Sequence, residues 1–232
     1  MVRQLRPRFC GRTIRRVEIH DPKIRLNGHL KGCRIKAIRR RAKLIIFDLS
    51  NDRHLLVHLR MTGWFEFSQP KKYRLALRAG TSSAYFADSR RFGMVELLAP
   101  AELAERLGRL GPEAFASDLA TLKRTTRPVK VALLDQSLIA GIGNIYACES
   151  LWRARLNPRR RADRLRREEL RRLRRGVVSA LRKGINYGPR IFEVQEFYVY
   201  DRAGQPCRRC GALIRRFVQA QRSTFFCPVC QR

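Results

Sequence analysis

The chain has 232 residues, 44% of them hydrophobic, enough to bury a core and too many for a chain disordered throughout. Its 51 Lys+Arg against 19 Asp+Glu give a formal charge of +32, which invites a polyanionic partner, nucleic acid first, because each phosphate neutralised releases condensed counterions. No run approaches the roughly 18–20 apolar residues of a bilayer span, and the basic opening MVRQLRPRFCGR lacks an apolar signal core, so neither a helical membrane span nor export is expected and a cytoplasmic place is.

Residues 1–9, MVRQLRPRF, read as the tail of a helix, with no N-cap before the apolar positions and Gly11 following as a stop. From there to about residue 100 the chain is a series of short β-branched or aromatic runs: GRTIRRVEI, CRIKAIRR, AKLIIFDLS, HLLVHLRM, WFEF, YRLALRA and SAYFAD. Turn residues at Asn27-Gly28, Ser50-Asn51-Asp52 and Gly80 separate them, the rhythm of a sandwich or barrel. Residues 101–116 are expected to link this domain to the next, with AELAERLGRL as a short helix. Residues 117–190 read as a helical module, because SDLATLKRTTRPVKVALLDQ, GIGNIYACESLWRARL and REELRRLRRGVVSALRKGI carry apolar residues at helical spacing. Arg159–Arg175 holds ten arginines and three acids, a solvated face on one reading and a phosphate-facing one on the other. Residues 198–232 are short strands and cysteines.

Four of the seven cysteines form Cys207-Arg-Arg-Cys210 and Cys227-Pro-Val-Cys230, sixteen residues apart. A CxxC knuckle turns two thiolates to one side, and two knuckles joined by a hairpin complete a tetrahedral sulfur shell that favours one structural zinc. Two disulfides, or an iron of the rubredoxin type, are the rival uses. Four thiolates leave no open position for water or substrate, so this metal is expected to do no chemistry. Cys10, Cys33 and Cys148 read as small buried hydrophobes.

The hairpin between the knuckles, LIRRFVQAQRSTFFC, resembles the zinc finger of the formamidopyrimidine-DNA glycosylase/endonuclease VIII family, which removes oxidised bases from DNA. Other blocks agree in order along the chain. Ser137–Ala147, SLIAGIGNIYA, resembles that family's helix–two-turn–helix signature. Arg40–Lys43 with His58–Gly63, HLRMTG, is similar to its N-terminal β-sandwich, and Asp88–Gly93, DSRRFG, resembles its DPRRFG loop with Ser89 in place of proline. The resemblance implies an α+β, two-domain fold: an N-terminal β-sandwich, then a helix–two-turn–helix module with a β-hairpin zinc finger.

It further implies a base-excision-repair glycosylase and abasic-site lyase that flips its target nucleotide out of double-stranded damaged DNA. Met61, Arg90 and Phe92 would fill the vacated space, although for Met61 or Phe92 alone core packing is the plainer reading. Asn144, Lys43 and Arg222 would grip phosphates, with Arg222 beside the flipped nucleotide, and the protein would act as a monomer on the bacterial nucleoid. The family's nucleophile is an N-terminal proline, whose amine attacks C1′ to give an imine, with the next glutamate handling protons. Here the sequence opens Met1-Val2-Arg3-Gln4-Leu5-Arg6-Pro7, similar to the family's segment just after PELPEVET, so neither group is present and the first segment of that helix is expected to be missing. Either a start was chosen downstream of the true one, or the nucleophile is lost and a damage-binding protein remains, with Lys43 a poor substitute amine. The stretch between Ile185 and Tyr198, NYGPRIFEVQEF, is shorter than the family's base-capping loop, which leaves 8-oxoguanine, formamidopyrimidines and oxidised pyrimidines equally open as lesions.

Overall fold

A computed structural model describes residues 1–187 and 197–232, so the expectation about the short loop lies for the most part outside the described residues. The chain divides into two compact units, Met1–Arg109 and Leu110–Arg232.

The first unit opens with helix α1 (Val2–Phe9), followed by strands β1 (Ile14–Ile19), β2 (Ile35–Arg41), β3 (Leu44–Leu49), β4 (His54–His58), β5 (Trp64–Glu66), β6 (Leu75–Ala79), β7 (Ser82–Ala87) and β8 (Met94–Leu98), and closes with α2 (Pro100–Gly108). The strands form two four-stranded sheets, ordered β1-β6-β7-β5 and β2-β3-β4-β8, with every pairing antiparallel. Phe47, Phe65, Phe86, Ile38 and Leu77 are buried in its core. Leu5 and Phe9 of α1 join them without exposure, and Arg6 Nε donates to the Ile38 carbonyl at 2.6 Å. The opening segment is thus a packed helix, with its apolar positions one turn apart facing the strands.

Two differences from the sequence reading have physical causes. Strand β3 is buried on both faces, because Leu103 of α2 packs with Ile46 and Leu56 on the back of the sheet. Much of the expected linker therefore belongs to the first unit as a docked helix, and the rest to the second. In addition MVELL forms β8, an edge partner of β4 too short to stand out by alternation.

The second unit carries a 3-10 turn at Ala120–Arg124, then α3 (Val129–Leu134), α4 (Asn144–Ala154), α5 (Arg167–Tyr187) and a hairpin of β9 (Arg215–Gln219) and β10 (Arg222–Phe226). The stretch read as one helical segment before Gln136 breaks in two, since Pro128 stands as the N-cap of α3 and the residue before a proline avoids helical backbone. Leu133, Ile139, Ile142, Leu151, Leu173 and Val177 form this unit's core. Among the three remaining cysteines Cys33 and Cys148 are buried and Cys10 is half-buried. Among the described residues, no helix is long and apolar enough to cross a membrane.

Candidate nucleic-acid interface

In the first unit, two loops present the residues expected to enter DNA. The first is the turn after β4, closed by the Gly63 N–H on the Leu59 carbonyl at 2.9 Å. It ends the expected strand HLLVHLRM at His58 and exposes Met61 to 70%. The second, Asp88–Gly93, exposes Phe92 to 52%, with the Arg90 guanidinium 4.8 Å from its ring centre. Core packing is therefore not the role of either apolar side chain.

Both loops are tied to one buried carboxylate. Thr62 Oγ1 donates to Asp88 Oδ1, while Asp88 Oδ2 accepts from the Gly93 N–H at 2.7 Å and from Arg74 Nη1 at 2.9 Å. The Arg90 N–H reaches Thr62 Oγ1 at 3.3 Å. Arg74 also donates to the Gly93 carbonyl at 2.7 Å and, through Nε, to Asp21 at 2.6 Å. Arg91 closes the set on Asp21. Gly93 is required by this crowding, because a Cβ there would stand 2.5 Å from the Phe86 ring and 3.0 Å from Asp88 Oδ2. An exposed apolar pair thus rests on a buried network of one arginine and two aspartates.

Lys43 sits half-buried in the two-residue turn between β2 and β3, where Ala42 takes a φ of 52°. Its charge acts on His58, whose ring nitrogen Nδ1 accepts the Arg60 N–H at 2.9 Å. Burial first, then Arg60 and Lys43, push the His58 imidazolium down to about 4. Burial alone would raise Asp88; hydrogen bonds from Thr62 and Gly93 and the Arg74 charge reverse that and hold it below the usual carboxylate range. The Arg91 hydrogen bond holds Asp21 lower still, against its burial.

These shifts give a stability profile with a definite sign. Between pH 6.5 and about 4 the unfolded chain protonates His58 while the folded one resists, so stability falls as pH falls through that window. Below it, the contribution of Asp21 and Asp88, present above the unfolded carboxylate value, is lost as pH drops through their depressed folded values. Urea midpoints of the first unit measured from pH 7.5 down to pH 4 should decline, and His58→Gln should flatten the upper part. A wild-type profile level from pH 6.5 to 4 would refute the assignment.

In the second unit Gly143 caps α4 at its N-terminus and Asn144 is its first residue. The first-turn N–H groups there have no helical partner and carry the positive end of the helix dipole. Asn144 Nδ2 donates to the Ser223 carbonyl at 3.0 Å, so the side chain binds the hairpin. Arg222, the exposed first residue of β10, comes after a two-residue turn in which Ala220 and Gln221 have φ values of 47° and 59°. Such a turn usually takes Asn-Gly, and side chains held left-handed mark a tip whose shape the surroundings impose.

Sequence reasoning missed Lys130. It is fully buried in α3, and its Nζ donates to Thr224 Oγ1 at 2.7 Å and to the Ser223 carbonyl at 3.1 Å. Burial, with the nearby Arg222 charge in addition, lowers its ammonium pKa. Lys130 and Asn144 thus share one carbonyl, next in the chain to Arg222. The only signal was a lysine inside the apolar run VKVALL. Glu149 was also missed; this buried carboxylate takes the N–H groups of Tyr198, Val199 and Tyr200 at 2.9–3.1 Å and ties the base of the finger to α4.

The Sγ atoms of Cys207, Cys210, Cys227 and Cys230 lie within 4.8 Å of one another, with 3.5 Å between Cys210 and Cys227 and 4.0 Å between Cys207 and Cys230, on either side of the roughly 3.8 Å edge of a tetrahedron with zinc–sulfur bonds of about 2.3 Å. Trp152 Nε1 donates to Cys207 Sγ at 3.4 Å and the Cys230 N–H to Cys227 Sγ at 3.3 Å, contacts that suit thiolates holding one structural zinc.

Comparison with known proteins matches three family models along the chain. The family model described as the formamidopyrimidine-DNA glycosylase N-terminal domain matches residues 1–95, the glycosylase H2TH domain residues 110–196, and the zinc finger found in such glycosylases and isoleucyl-tRNA synthetase residues 204–232. The chain is 40% identical over 268 residues to the formamidopyrimidine-DNA glycosylase of Heliobacterium modesticaldum, covering 99% of this chain and 96% of that protein. With the enzyme of Thermus thermophilus it shares 39% over 252 residues, covering 99% and 94%. The structure of the Lactococcus lactis enzyme, non-covalently bound to DNA with an abasic site, superposes with a TM-score of 0.89 at 32% identity over 100% of this chain and 96% of that one.

Proposed function

The chain belongs to the formamidopyrimidine-DNA glycosylase family, and on that premise we propose that it is a base-excision glycosylase and abasic-site lyase that binds damaged duplex DNA and extrudes the target nucleotide. The observation that carries this reading is the exposed pair Met61 and Phe92, standing on two loops that share Asp88. Extruding a base leaves a gap in the stack, and a flexible thioether and a flat ring can fill it while the Arg90 guanidinium bonds the orphaned partner base. Lys43, Asn144 and Arg222 hold phosphates, Asn144 through the N-terminus of α4 and Arg222 from the hairpin tip. The zinc holds that hairpin and takes no part in the chemistry. The protein acts as a monomer in the bacterial cytoplasm, concentrated on the nucleoid by its charge.

The second reading is a catalytically inactive damaged-DNA binder of the same fold. It uses the same exposed Met61 and Phe92 and differs only in forming no covalent adduct with the abasic site. Borohydride treatment of the 232-residue chain on an abasic-site duplex separates the two: a trapped adduct refutes the inactive reading, and its absence with tight binding supports it. Arg222→Ala should weaken binding to that duplex about 10- to 100-fold, the worth of one charge-assisted contact. Unchanged affinity would show that Arg222 is not the phosphate clamp.

A further inference from the structure

We propose a second, separate anion site in the C-terminal unit, which takes a phosphate-class ligand away from the Asn144–Arg222 pair. An open hollow of about 360 Å³ lies where the end of α4 meets α5 and the first zinc knuckle, lined by Trp152, Arg153 and Arg172 and by the exposed Arg175, Ser179 and Arg209. Four guanidinium-bearing side chains converge there. The acid paired with them is Glu168, exposed, which holds Arg172 Nη1 at 3.1 Å. Trp152 lies eight residues along α4 from Asn144, about 12 Å at the helical rise, so the cavity belongs to the other end of that helix.

The cavity is built rather than incidental. Gly176 brings α5 against α4: a Cβ there would meet the Ser150 carbonyl oxygen at 2.6 Å and Arg153 Cβ at 3.3 Å. Arg209 is laid over the Trp152 ring at 4.0 Å and donates to the Trp152 carbonyl at 3.2 Å. Arg153 is held over Tyr198 at 4.7 Å. These stacking contacts fix the guanidinium groups while leaving N–H donors to spare. The Nε atoms of Arg153 and Arg172 are buried and have no acceptor among the described residues. Buried donors are almost always paired, and forked cations in a shared hollow match the tetrahedral oxygens of a phosphate. Free phosphates and the phosphates of a DNA backbone present the same chemistry.

The test uses the full zinc-loaded chain with inorganic pyrophosphate as probe, read by titration calorimetry. Arg172→Gln with Arg175→Gln should weaken pyrophosphate binding about tenfold or more. Ser179→Asp, which puts a carboxylate into the hollow, should abolish it. A charge-matched control, Arg15→Gln with Arg25→Gln on the first unit, should stay within about twofold, the scale of exposed charges. A second arm measures affinity for a long undamaged duplex against salt. A slope shallower by about 0.9 for each phosphate that the double variant no longer neutralises identifies the DNA backbone as the source. An unchanged slope with abolished pyrophosphate binding identifies a free phosphate. If the pocket variants and the control fall alike, or if neither readout moves while circular dichroism shows both variants folded, the proposal is wrong.

Discussion

Asp88→Asn is expected to destabilise the first unit by about 3–5 kcal/mol, the cost of breaking a buried ion pair on one side. Arg74 is 5% exposed and Asp88 6%, so the arginine cannot recover its missing partner from water. Asp21 still neutralises part of its charge through Nε, which places the loss toward the lower end of that range. The amide also cannot accept from Thr62, Gly93 and Arg74 together as the carboxylate does. Urea denaturation of the wild type and variant gives the number directly. The same variant should weaken binding to abasic-site DNA while leaving binding to undamaged duplex nearly intact, because it unfastens Met61 and Phe92 but removes no phosphate-binding group. Thr62→Val offers a milder check: it removes the two hydrogen bonds that join the Met61 loop to Asp88 and Arg90 and should cost about 1–2 kcal/mol. An unchanged urea midpoint for Asp88→Asn would show that the carboxylate holds nothing together.

Removal of zinc is expected to have the larger effect on function. The core beneath the finger is small, chiefly Trp152, Val199, Ile214 and Phe225 with the cysteines themselves. Metal binding supplies on the order of 10 kcal/mol in isolated fingers, and so few apolar side chains cannot replace it. Chelation, or Cys207→Ser, should therefore melt the β9–β10 pairing and release Arg222 and the Ser223 carbonyl that Lys130 and Asn144 share. Affinity for DNA should fall at least as far as in Arg222→Ala, while the helical core around Leu133 and Leu173 keeps its circular dichroism. Full DNA affinity in the metal-free protein would mean that the hairpin is not the clamp.

Some of this was legible in the sequence for clear reasons. The zinc ligands sit in two local knuckles, and a fixed spacing carries the whole geometry. The loops bearing Met61 and Phe92 were recognisable as blocks of adjacent residues. Most of the groups that hold those loops were not. Asp88 opens one of those blocks, but its partners Arg74 and Asp21 lie far from it in the chain, and in a protein with 51 Lys+Arg a buried arginine looks like any other. Lys130 was hidden in the same way. Helix α2 was expected as a short helix, but its docking on the sheet was not, because that depends on the apolar back of β3, which no local pattern reveals; strand β8 went unseen because it is a short edge partner of β4. Burial of charge is a property of the fold, and only the fold discloses it.

The hairpin tip bears on how this surface can change. Ala220 and Gln221 complete a two-residue connection, and each side chain beyond it alternates faces. Inserting one residue there would slide the strand by half a pleat and turn Arg222 to the opposite side. Substituting either residue would leave the direction of Arg222 intact, and glycine at these left-handed positions would even ease the backbone. The tip should therefore tolerate drift in composition but not in length, so insertions here should be purged while point changes accumulate.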